Sequence, residues 1–145
     1  MSMCTYSPSC SGCSSWGIPY SDQITNKIRR LKALLNEKNL QSEAEIQFLS
    51  CGEQGLRNRV DFTLEFDEKI DRQTAGFYDT SKKLMQIDEC LQMNPELQKA
   101  YSEFLKIRFK IKKGSVRLRV GPTGLKGCWL DFSNLDIKHL LVAVE

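Results

Sequence analysis

Cys4, Cys10 and Cys13 put three of the chain's six cysteines into ten residues, at the spacing C-x5-C-x2-C. Serine, proline and glycine fill the intervals, so the backbone there can turn tightly and aim several sulfurs at one centre. Three thiolates leave a tetrahedral centre one ligand short. Cys90, in Gln86-Ile87-Asp88-Glu89-Cys90-Leu91 ahead of a proline-opened helix, is the best fourth ligand. Four thiolates suit an iron–sulfur cluster or zinc. Structural zinc sites usually pair two C-x2-C knuckles, and only Cys10 and Cys13 make one. Three clustered cysteines plus a remote one favour a 4Fe–4S cluster, with zinc as the alternative. Residues 1–13 are polar and lack the apolar core of a secretory leader, which weighs against disulfides. Cys51 and Cys128 sit in apolar, strand-like runs and read as buried small hydrophobes.

A second chemistry lies in the distribution of charge. The net charge is only +3, which does not by itself announce a polyanionic partner. Lys106, Arg108, Lys110, Lys112, Lys113, Arg117 and Arg119, however, place seven cations in fourteen residues with no acid among them. Together with Arg57 and Arg59, the cations Lys110, Lys112, Lys113, Arg117 and Arg119 make a candidate phosphate-binding face. Tyr6, Trp16 and Tyr78 are candidate stacking partners for bases. Taken one at a time, each cation is more often a solvated side chain, and each aromatic more often half-buried. His139 is the sole histidine and has no evident acid–base partner.

These residues need elements to hold them. A chain of 145 residues, 41% hydrophobic and 27% charged, is long enough for one domain with its own core. The reading divides it into a Cys-rich cluster-binding segment, residues 1–20, and a central domain, residues 21–145. No run approaches the ~20 apolar residues of a membrane helix, so no membrane partner is expected and the location predicted is cytoplasmic. Ile24, Ile28, Leu31 and Leu35 predict an amphipathic helix to about Glu37, with Ser21 as its N-cap. Glu45 to Cys51 reads as a short strand. From Leu56 to Phe66 alternation is clean: Val60, Phe62, Leu64 and Phe66 share one face, and Arg59, Asp61, Thr63 and Glu65 the other. Ala75–Tyr78 and Lys83–Ile87 predict two more strands of a meander that delivers Cys90 at its end. Asn94 and Pro95 open a helix carrying Leu97, Tyr101, Phe104 and Leu105. The stretch after Ile107 is either a basic hairpin or a helix end leading into one strand after Gly114, and the second is preferred. Gly121 to Gly124 is a turn, Gly127 to Phe132 a strand, and Asn134 caps a last helix. The fold class is α+β: an antiparallel sheet, two or three helices and the N-terminal Cys-rich segment.

In that order, the motifs resemble the RNA uracil-C5 methyltransferase family (RumA/RlmD/TrmA-like). Several of its members hold a 4Fe–4S cluster by C-x5-C-x2-C plus a distant cysteine, the pattern of Cys4, Cys10, Cys13 and Cys90. A family Tyr-x2-Gln-x3-Lys pattern is matched by Tyr20, Gln23 and Lys27. A Tyr-Arg-Asn-Arg/Lys strand opening is similar to Leu56-Arg57-Asn58-Arg59, with leucine in place of the aromatic. Gly76-Phe77-Tyr78 matches a Gly-Phe-Arg/Tyr strand, and Cys90 with Pro95 the context of the fourth cysteine.

The resemblance implies RNA, ribosomal or transfer, as partner and S-adenosylmethionine as cofactor only where a catalytic domain follows. Family members commonly carry an OB-fold domain ahead of the first cysteine and end in a Rossmann-like domain with a cysteine nucleophile and a carboxylate base. Nothing after Cys90 matches those parts, and Gly127-Cys128-Trp129 does not resemble the nucleophile loop. The expectation is therefore a cluster-bearing, RNA-binding part of such an enzyme, not catalytic by itself, served by a methyltransferase domain in cis or trans. The rival expectation is a zinc- or cluster-stabilised interaction module with no RNA role.

Overall fold

The computed structural model describes residues 4–40, 44–109 and 112–131. The elements run α1 (Tyr20–Glu37), β1 (Arg59–Asp67), β2 (Arg72–Tyr78), β3 (Leu84–Gln86), α2 (Pro95–Phe104), β4 (Lys113–Val120) and β5 (Lys126–Asp131). The five strands form one antiparallel sheet in the order β3-β2-β1-β4-β5. Two helices and this sheet make the α+β fold that the sequence predicts.

Alternation decides the sheet's two faces. On β1, Val60, Phe62, Leu64 and Phe66 are buried, and on β4 Gly114, Val116, Leu118 and Val120 are buried while the residues between are exposed. The inner face packs on Leu97, Ala100, Tyr101 and Phe104 of α2. Phe62 meets Tyr101 and Phe104 edge-on at 4.9 and 5.4 Å, and Phe104 stacks on Phe109 at 5.2 Å. Such aromatic pairs favour one packing over its alternatives by more than area alone. α2 begins as predicted: the Asn94 side chain accepts the Leu97 N–H at 2.7 Å and Pro95 holds the first turn. The helix ends at Phe104, so the basic stretch is not a hairpin. Residues 105–109 leave the helix, held where Gln73 accepts the Phe109 N–H (2.7 Å) and donates to the Ile107 carbonyl (3.0 Å).

At Gly76 the chains approach closely. A Cβ there would stand 1.9 Å from the Met85 carbonyl oxygen of β3, so only glycine lets β2 and β3 pair at this point.

Two spatial units divide the chain. One joins Met1–Gly12 to Gln54–Glu145, and the other is Cys13–Glu53. The division therefore falls inside the predicted Cys-rich segment. In the second unit α1 starts one residue before Ser21. Pro19 holds the N-cap position with no side-chain bond, because Ser21 already lies in the first turn. The Gln23 side chain ties the first turn to the preceding loop, donating to the Ser15 and Ile18 carbonyls at 3.2 and 2.9 Å. Tyr20 Oη bonds Ser50 Oγ at 2.7 Å.

Three expectations are corrected. Among the described residues, 44–51 form no strand: no ladder partner pairs with them, and Leu49 is 88% exposed. Cys51, on that stretch, is exposed rather than buried. Cys128 lies opposite buried Leu118, yet it too is exposed, because β5 is an edge strand. The helix predicted from Asn134, with His139, lies outside the described residues.

Candidate metal centre and nucleic-acid interface

Residues 4–12 carry two of the predicted ligands and are stitched to the sheet unit. The Ser11 N–H and hydroxyl both donate to the Tyr78 carbonyl (3.3 and 2.6 Å), and Thr80 N–H donates to the Ser9 carbonyl (3.2 Å). Cys10 makes an antiparallel bridge with Asp79. Asp79 heads a tight turn, taking hydrogen bonds from Ser81 and the Lys83 N–H that hold its carboxyl below the usual range. Tyr6 Oη accepts the Asp88 N–H at 2.9 Å, and an Arg57 guanidinium nitrogen donates to the Gly12 carbonyl at 3.0 Å. The Gly12 N–H in turn points at Cys10 Sγ, 3.4 Å away.

Cys90 stands on the connection from β3 to α2, at the core's margin. Its N–H donates to Gln98 Oε1 (2.9 Å), whose amide nitrogen returns to the Asp88 carbonyl (3.2 Å). Leu91 and Gln92 accept from Gly55 and Arg57 N–H groups at 2.8 and 2.7 Å. Below this connection the Tyr101 hydroxyl, fully buried, donates to the Ile87 carbonyl at 2.8 Å. Burial pushes the Tyr101 phenol pKa far up, with smaller contributions from Asp88, Tyr6 and Cys90. One chain of contacts thus runs Tyr101–Ile87–Asp88–Tyr6, from the aromatic core to the Cys segment.

Cys4, Cys10 and Cys90 are half-buried thiols of one unit, and Cys13, also half-buried, opens the other. All six cysteines are free of disulfides. Among the described residues, no three His, Cys, Asp or Glu side chains stand close enough to enclose a metal. The donor chemistry nevertheless suits a sulfur-liganded centre: the sulfurs are partly desolvated, and a backbone N–H is already aimed at one of them. Closure of ligands is ordinarily coupled to arrival of the ion.

The sheet's outer face carries the other predicted residues. Arg59 lies opposite Arg119, and Asp61 opposite Arg117. Asp61 is shared: one carboxylate oxygen takes Arg59 Nε at 3.2 Å and the other pairs with Arg117. Lys113 pairs with Glu65 (3.3 Å) and lies 5.2 Å over the Tyr78 ring. The Tyr78 hydroxyl and Glu65 hold its ammonium pKa above the usual value. Arg57, by contrast, is turned to the Cys segment, Lys112 is exposed beside β4, and Lys110 lies outside the described residues. Arg59, Arg117 and Arg119 are brought to one end of this face and Lys113 to the other, and Arg57 is not among them.

Of the predicted aromatics, Tyr6 and Tyr78 are occupied as above, and Trp16 is half-buried in the other unit. Sequence reasoning passes over Trp129, 55% exposed and opposite Arg117. The signal was present: Gly127, Trp129 and Asp131 alternate onto the polar face of a strand.

No protein-family model matches the chain. Curated proteins do. An uncharacterised RNA methyltransferase of Bdellovibrio bacteriovorus is 42% identical over 139 residues, 95% of this chain and 34% of that protein. The 23S rRNA (uracil(1939)-C(5))-methyltransferase RlmD of Vibrio parahaemolyticus is 29% identical over 148 residues, 98% of this chain and 34% of its own length. The RlmD of a Marinomonas species is 32% identical over 74% of this chain and 23% of its own. The chain thus spans about a third of the length of the first two relatives. Among the described residues no helix is long and apolar enough to cross a membrane.

Proposed function

We propose that this chain is a cluster-bearing, RNA-binding part of a cytoplasmic RNA (uracil-C5) methyltransferase that uses S-adenosylmethionine, and that its own residues bind rather than transfer the methyl group. The observation that carries the reading is the similarity to RNA methyltransferases over nearly the whole chain. The outer-face arginines supply phosphate contacts, which fix a strand in place without reading its sequence.

Cys4, Cys10, Cys13 and Cys90 would hold a 4Fe–4S cluster. When bound, such a cluster cross-links the chain and supplies an iron–sulfur centre tuned by hydrogen bonds to its sulfurs. The chain's own part rests on the hydrogen bonds made at Tyr6, Ser9, Ser11 and Gly12, which seat the Cys segment on the sheet unit. Cys128 has no part in methyl transfer in this reading. Burial of its surroundings pushes the thiol pKa up, away from the reactive thiolate, even though the residue itself is exposed.

Anaerobic preparation and metal analysis test the ligand set. We expect about four irons and about four sulfides per chain. Changing any of Cys4, Cys10, Cys13 or Cys90 to serine should remove them, while Cys51→Ser and Cys128→Ser should not. Stoichiometric zinc without sulfide would replace the cluster with the zinc alternative. RNA retention at moderate salt tests the other half, and its absence would leave an interaction module with no RNA role.

A further inference from the structure

Trp129, 55% exposed, is the one exposed aromatic among the described residues of the sheet. Residues of this kind are usually mostly covered. Its indole does not project freely. A Cβ built on Gly127 would stand 2.8 Å from Cη2 and 3.0 Å from Cζ3, so the six-membered ring fills the space that a side chain at 127 would take. Gly127 lies opposite Arg119 and Trp129 opposite Arg117. Two arginine positions of β4 thus lie opposite Gly127 and Trp129 on the same face of the sheet, with Arg59 one strand further. Arg59 and Arg117 share the carboxylate of Asp61 at this end of the sheet, and Arg119 has no ion pair among the described residues. At the other end Lys113 is balanced by Glu65. An aromatic ring held in place on a face where the arginines outnumber the carboxylates is the combination that single-stranded nucleic acids use, bases on the ring and phosphates on the cations.

We propose that Trp129, seated over Gly127 on the strand opposite Arg117 and Arg119, is a stacking platform for one unpaired base of an RNA strand. The proposal rests on the RNA reading above and adds to it a base-contacting residue. β5 ends the sheet order, so a strand approaches Trp129 from the side and the arginines hold the flanking phosphates. A purely structural Trp129, merely covering Gly127 on an edge strand, would predict a loss of stability and no change in affinity.

The test uses the whole chain and two labelled strands of equal length, oligouridine and an abasic ribose-phosphate oligomer. Trp129→Ala should weaken oligouridine binding about tenfold, the usual worth of one stacked base. It should leave the abasic strand and the salt dependence unchanged. Trp129→Phe should restore most of the loss, which also guards against a folding defect in the alanine variant. Equal loss on both strands, or no loss on oligouridine, would overturn the platform while leaving RNA binding intact. Polyglutamate binding as tightly as oligouridine, and losing as much with Trp129→Ala, would assign the face to an acidic protein partner and overturn it too. A chain that holds neither strand at any salt would overturn this proposal and the RNA reading together.

Discussion

Val60, Phe62, Leu64 and Phe66 point to one side of β1, and Arg59, Asp61, Thr63 and Glu65 to the other, so a single strand builds two unlike surfaces. On the inner side every neighbour is apolar: α2 lays Leu97, Tyr101 and Phe104 across the sheet and leaves no buried charge among the described residues. On the outer side the described residues of this unit answer one another as exposed ion pairs. Burial is worth kilocalories per side chain, whereas an exposed pair is worth little. The inner face therefore holds the fold, and the outer face is free to be chosen for what it contacts.

The largest expected effect lies inside. Leu64 is fully buried at the middle of β1, and Leu64→Ala should cost about 2–5 kcal/mol in denaturant unfolding. A cost below about 1 kcal/mol would mean the inner face is not the fold's mainstay. Next comes the contact that links core to Cys segment. Tyr101→Phe removes the bond to the Ile87 carbonyl and should cost about 1–2 kcal/mol. Its pH dependence has a definite sign. The folded phenol pKa is raised, so the stability it contributes is full below the ordinary phenol value of about 10 and is lost as pH climbs from there toward the folded value. The native chain should therefore lose stability faster than Tyr101→Phe above about pH 10. Parallel alkaline curves would show that this hydroxyl is not desolvated as the structure has it.

Outside, the same kind of change should barely touch stability. Asp61→Asn removes two exposed pairs and should alter unfolding by less than about 1 kcal/mol. It frees Arg59 and Arg117, so RNA affinity should rise several-fold at low salt. Weaker RNA binding, or a large loss of stability, would erase the distinction between the faces.

How much of this was legible beforehand follows the same divide. Alternation at Val60–Phe66 and Val116–Val120 showed the inner face, and Asn94-Pro95 showed the start of α2, because those signals are local. Ser21 misled because a good capping residue lay two positions inside the helix's N-cap, Pro19. The stretch 44–51 misled because strand-like composition needs a partner strand, and none pairs with it. Cys128 misled because alternation tells which face a residue takes but not whether anything covers that face at an edge. Arg57 and Arg59 look equivalent in the sequence, yet one is turned to the Gly12 carbonyl and the other to Asp61. Trp129 could be assigned to the outer face from its alternation, but its closeness to Gly127 required coordinates.

The salt dependence of RNA affinity tests the division of labour between the faces most directly. Each phosphate contact to a single strand contributes about 0.7 to the slope of log affinity against log salt. Arg117→Ala combined with Arg119→Ala should therefore make the slope shallower by about 1.4, with the unfolding midpoint nearly unchanged. An unchanged slope would contradict the account and return these arginines to a solvated surface that touches no RNA.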